Sequence, residues 1–176
     1  HLLGSSPVLQ GGALKLNLRG TYQGIVTSGD GYCGDFVDAF MAIALAADMP
    51  VRSWAFSFDG FGGHGHVWPE IWNRQQGRWQ LVGIFNNYYF FETPGVPLSA
   101  LELRRALLDN SKQLKLAPLY AGARVGMPNE ERAWDYYRRG LPEWYMWWGN
   151  NVFTYDRSLL VRTLSGVSRS LEQFGG

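Results

Sequence analysis

Residues 33–48, CGDFVDAFMAIALAAD, carry the pattern that most restricts how this chain folds. Phe36, Val37, Phe40, Met41 and Ala44 recur at i, i+3 and i+4, so the spacing predicts a helix with one buried face. The turn-forming run TSGDG (27–31) precedes it. Pro50 closes it, because proline disfavours helical backbone in the residue before it. Asp35 and Asp38 fall in the first turns, where the helix dipole favours negative charge. A helix with one apolar face needs a surface to cover, and the residues behind it read as strands. Residues 51–58 alternate apolar and polar. Residues 66–72 (HVWPEIW) and 78–85 (RWQLVGIF), joined by a polar loop containing Gly77, predict a β-hairpin. On the first of these strands His66, Trp68 and Glu70 share one face and Val67 and Ile71 the other. Pro69 points to an edge or a bulge.

The flanks are less regular. Residues 1–12 read as a weakly ordered lead-in. In residues 13–19, Leu14, Leu16 and Leu18 alternate with polar residues, which predicts a half-buried strand or an extended arm. Beyond residue 97 the pattern becomes helical. Ser99 with Glu102 resembles a capping box, Asn129 is placed to cap residues 130–140, and residues 157–174 predict a final helix. Between them, residues 142–153 form a dense aromatic block. There are no repeats and no linker. The expectation is one α+β domain over residues 1–176, with a motif core at 27–90 and a helical C-terminal part at 98–176.

Composition excludes some functions. A net charge of +1 leaves no electrostatic footprint for nucleic acid. No apolar run reaches the roughly 18 residues of a membrane span. Cys33 is the only cysteine, so an internal disulfide is excluded. No D-x-D-x-D-G loop is present, and neither a metal nor a cofactor is expected. Aromatic residues make up 15% of the chain; they fit the core better than a binding groove, although the block at 144–148 is too dense to bury every ring.

A thiol at a helix start carries its own chemistry. It attacks as thiolate, and its free pKa of about 8.5 falls at a helix N-terminus or beside an imidazolium. Cys33 sits at such a start, and His66 is the imidazole on offer, as general base toward the thiol and then general acid toward the leaving group. His64 shares that face only if the strand begins early. The backbone N–H of Cys33 is the simplest oxyanion donor, with the side chain of Gln23 or Tyr22 as a second.

From about Thr27 to Phe90 the chain resembles the transglutaminase-like superfamily of thiol enzymes. The Gly31-Tyr32-Cys33-Gly34 turn opens the helix, and residues 47–52 (ADMPVR) stand where that superfamily has a segment of the type LG-I-P-x-R. Gly65, His66, Trp68, Glu70, Ile71 and Trp72 match its Gly-His-x-Trp-x-Glu strand. Trp79 leads to the ending Asn87-Tyr88-Tyr89-Phe90. The resemblance implies a papain-like α+β architecture, with the nucleophile at the N-terminus of a helix packed on a small antiparallel sheet. It implies a Cys33–His66 pair that forms an acyl-thioester on a peptide, protein or glycan-linked amide, with Tyr32, Gln23 and Trp68 near the substrate. It also implies an extracytoplasmic bacterial setting.

One departure stands out. On this alignment the triad aspartate falls on Gly83, which has no side chain to orient the imidazole, and losing that acid costs orders of magnitude. Three accounts are open: Asn86 or Asn87 takes the acid's place, the chain is a low-activity or inactive relative, or the position carries a disabling substitution. The readings are therefore a peptidase, amidase or transglutaminase-type acyltransferase, a non-catalytic module binding peptide or glycan, and, third, an arylamine-type acyltransferase.

Overall fold

The computed structural model describes residues 17–29, 31–61, 64–121, 126 and 129–147. Its elements are α1 (Leu18–Ser28), α2 (Cys33–Ala46), β1 (Val51–Ser57), β2 (Gly65–Asn73), β3 (Arg78–Leu81), β4 (Tyr88–Phe91), α3 (Ala100–Leu108), β5 (Lys115–Pro118), α4 (Glu130–Arg139), a 3-10 turn (Leu141–Glu143) and β6 (Trp144–Trp147). The result is a mixed α+β fold built on antiparallel pairing. A sheet ordered β3-β2-β1-β6 lies beside a separate β4-β5 pair.

The helix at 33–46 forms as its spacing predicts, burying Phe36, Val37, Met41 and Ala44. The extended reading of residues 17–19 is overturned. Asn17 accepts a hydrogen bond from the Gly20 N–H at 2.9 Å and caps α1. Thr21 and Ile25 are buried along this helix, and Gly29, at φ 70°, ends it by donating to the Ile25 carbonyl. The leucine alternation is too short to outweigh a good N-cap followed by a helical stripe. Residues 13–16 lie outside the described residues.

The predicted hairpin is β2 and β3, in register from Glu70↔Leu81 to Asn73↔Arg78. Pro69, expected at an edge or a bulge, sits in an internal strand. The Trp72 N–H donates toward β1, to the Pro50 carbonyl. Two-residue alternation turns the nitrogen of Pro69 the other way, past the end of the β3 ladder, where no donor is needed. The capping box at Ser99 and Glu102 is reciprocal, and Asn129 accepts from the Arg132 N–H. The C-terminal part is not purely helical, however. It contributes β5 to pair with β4, and the aromatic block supplies β6, which pairs with β1. A final helix at 157–174 lies outside the described residues.

Helices cover both faces of the main sheet. On one side α1 and α2 pack Ile25, Phe36 and Met41 against Val51, Val82 and Ile84, with Val67 and Ile71 at the margin. On the other, α3 and α4 pack Leu103, Leu107 and Tyr137 against Trp54, Phe56, Trp68 and Leu81. The two periodic faces of β2 therefore meet different layers: Val67 and Ile71 turn toward α2, and His66, Trp68 and Glu70 toward α3 and α4.

Glu70 is fully buried and ties these layers together. One carboxylate oxygen accepts from Arg52 Nε at 2.5 Å and from Trp54 Nε1 at 2.8 Å, and the other from the Ala100 N–H at 2.7 Å. That last bond places the charge on the first turn of α3, where the dipole favours it. The Arg52 guanidinium in turn lies 4.0 Å from the Trp79 ring centroid. A buried carboxylate is tolerated only when paired and fully hydrogen-bonded, and removing one member leaves the others unsatisfied. Glu70→Ala is expected to lower the unfolding free energy by about 3–5 kcal/mol in urea titration. A loss below about 1 kcal/mol would show that the carboxylate acts as a surface pair does.

Candidate active site

Cys33 is the first residue of α2 and is partly buried. Tyr32 is the N-cap, half-exposed, and its N–H donates to the Asp35 carboxylate at 2.8 Å. The turn before it favours glycine: Gly31 has φ 144°, and an added Cβ would crowd the Asp35 side chain. This turn presents the thiol at the positive end of the helix.

His66 lies near the start of β2 and is only 5% exposed. Its ring is walled by Trp68 at 5.1 Å, Tyr136 at 5.9 Å, Phe56 and Tyr137 at 6.1 Å and Phe85 at 6.2 Å, measured between centroids. Its Nε2 is buried and has no hydrogen-bond partner. Burial pushes its pKa down to about 3, so the imidazole is neutral across the physiological range. Gly65, just before it, packs so closely on β1 that a Cβ there would collide with the Phe56 carbonyl oxygen.

The links between Cys33 and His66 run around the margin of β2, beyond the end of β3. Phe36, one turn into α2, stacks edge-on against Phe85 at 5.3 Å, and Phe85 borders His66. From the other layer comes Tyr136 on α4, a residue that the sequence pattern did not single out. Its hydroxyl donates to the Gly65 carbonyl at 3.3 Å, and its ring meets His66 edge-on. Burial first, and then the negative charge of a Cys33 thiolate, push its pKa upward. Tyr136 is thus within electrostatic reach of the thiol while touching the imidazole. Only its place on α4, opposite β2, gives it that position, and local sequence carries no signal of it.

The other expected residues are placed as follows. Gln23 is exposed on α1 and Tyr22 is half-buried against the α2 layer. Trp68 is 1% exposed and belongs to the core, between Phe56, Tyr137 and Trp144. His64 is exposed in the loop before β2 and bonded to Asp59, by Nδ1 at 2.7 Å and by its N–H at 2.6 Å. Asn86 turns its amide toward the Tyr88 and Tyr137 hydroxyls, which bond each other at 2.6 Å. Asn87, at φ 58°, commits both ends of its amide to the Tyr120 backbone, at 3.0 Å each. Those bonds fold the 87–120 crossing. Gly83 is buried and bridged to Tyr88, donating at 2.8 Å and accepting at 3.2 Å. A Cβ at position 83 would stand 2.5 Å from the Tyr88 carbonyl oxygen. The backbone here is shaped for glycine, so an aspartate cannot be restored without moving it.

Among the described residues, no helix is long and apolar enough to cross a membrane. No group of at least three His, Cys, Asp or Glu side chains there is arranged to hold a metal ion.

Two measurements follow from this geometry. Unfolded, His66 takes a proton near pH 6.5; folded, it does so only near 3. The contribution of His66 to stability is therefore complete above about pH 6.5 and falls as pH drops, by up to about 1.4 kcal/mol per pH unit. Urea titrations between about pH 7 and pH 4 are expected to show a steeper loss for the wild type than for His66→Gln; equal slopes would mean that His66 is not held neutral. Gly83→Ala is expected to cost about 1–3 kcal/mol through overpacking, and a neutral result would show that the 83–88 bridge yields easily.

No curated protein and no solved structure matches the chain. Residues 15–84, which include α1, Cys33, His66 and Gly83, match the family model of the transglutaminase-like superfamily.

Proposed function

We propose that this chain is a transglutaminase-like thiol enzyme of papain-like architecture. Cys33 attacks a carboxamide or acyl carbonyl, and its thiol proton passes to His66. The C–N or C–O bond of the tetrahedral adduct then breaks, with His66 returning the proton to the leaving group. The acyl-thioester on Cys33 passes to water or to an amine. The substrate class is an amide of a peptide, a protein or a glycan-linked group.

The observation that carries this reading is the buried, unpartnered Nε2 of His66. A buried polar atom without a partner is costly. Burial keeps the imidazole neutral and so able to accept a proton, and the same burial lowers its basicity. With the imidazole held neutral, the resting site holds no imidazolium at position 66.

Gly83 supports a second reading, a module that keeps the fold and binds without turnover, because no carboxylate stands at the expected triad position. Acylation by p-nitrophenyl acetate separates the two. The enzyme reading expects a stoichiometric burst of nitrophenolate with the acetyl group on Cys33 by intact mass. Cys33→Ala is expected to abolish it, and His66→Gln to slow it by about 100-fold or more. Equal acylation of wild type and His66→Gln would favour the non-catalytic module.

A further inference from the structure

Tyr136 is joined to the site in ways that core packing does not require. It is half-buried on α4, its ring stands at 75° to the His66 ring with centroids 5.9 Å apart, and its hydroxyl reaches the carbonyl of Gly65. The same ring is wedged between Phe56 at 5.5 Å and Phe58 at 5.4 Å. It cannot move without moving the loop entry to β2.

We propose that Tyr136 is a positioning residue for His66: its ring fixes the imidazole plane and its hydroxyl fixes the backbone that carries the imidazole, a task that the triad acid would otherwise perform. This inference rests on the Cys33–His66 reading. The charged and titratable groups that bear on Tyr136 are Cys33 on α2, His66 on β2, and Tyr137 and Arg139 on its own helix. Burial and the Cys33 charge push its hydroxyl upward, so it remains a neutral donor through the working range. An uncharged holder differs from a carboxylate in one respect. It orients the imidazole without stabilising an imidazolium, which agrees with a His66 pushed down to about 3.

The test is the rate–pH profile of acylation by p-nitrophenyl acetate in Tyr136→Phe, with folding checked by thermal melting. Phenylalanine keeps the ring and removes the donor. The Gly65 carbonyl must then find water, and water there hydrates the neighbouring imidazole. Acylation is expected to slow by about tenfold, and its acid limb to move up from near 3 toward the ordinary histidine range. p-Aminophenylalanine at 136 keeps a donor in place and is expected to restore both. If Tyr136→Phe fails to fold, p-fluorophenylalanine fills the space of the hydroxyl without donating and is expected to behave as Phe would. A wild-type rate and unchanged acid limb in the donor-free variants, with His66→Gln still slow, overturn the role of Tyr136 alone. If His66→Gln is as fast as wild type, the underlying reading of the site fails and this one goes with it.

Discussion

Glu70 is the joint on which the arrangement depends. Through one carboxylate, β2 is bonded to β1 at Arg52 and Trp54 and to the first turn of α3 at Ala100. A carboxylate without water must have its lone pairs filled, and here donors from the sheet and from a helix end fill them. The bond to Ala100 sets where α3 begins, and the Ser99–Glu102 capping box fixes the same point from outside. With α3 set, Leu103 and Leu107 close over Trp68 and Leu81. The face of β2 that carries Glu70 also carries His66, about 13 Å along the strand.

Burial alone accounts for the state of His66. The ring is enclosed because its strand face is pressed into the α3–α4 layer, and enclosure alone lowers its pKa. A triad acid would work against this, because a carboxylate beside the imidazole stabilises the charged form. Position 83 offers no such group, and the close approach of the Tyr88 carbonyl leaves no room for one. Asn86 reaches the tyrosine hydroxyls, and Asn87 bonds the Tyr120 backbone. The described ring neighbours of His66 on the α4 side are the aromatic Tyr136 and Tyr137.

Much of this was legible in the sequence where the signal is local. The apolar stripe of α2, the hairpin of β2 and β3, the shared face of His66, Trp68 and Glu70, and the caps at Ser99 and Asn129 all depend on near neighbours in the chain. The misses have two causes, one local and one long-range. Residues 17–19 resemble a strand over a short window, but the cap at Asn17 and the buried stripe behind it decide for a helix. The aromatic block gave no hint of being an edge strand, because its partner β1 lies about ninety residues earlier, and such pairing leaves no period in the sequence. Tyr136 escaped notice for the same reason. Its helix and β2 were both visible, but the packing of one against the other was not.

Gly83 shows how sequence and structure can give different meanings to one residue. In alignment it is the place where an acid is missing. In the fold it is a backbone position that exchanges two hydrogen bonds with Tyr88, and Tyr88 in turn bonds Tyr137, the neighbour of Tyr136 on α4. A side chain at 83 would push on Tyr88 and, through it, on the helix that borders His66. An acid restored at 83 would have to displace that helix contact in order to form. The glycine is therefore part of how this region is packed.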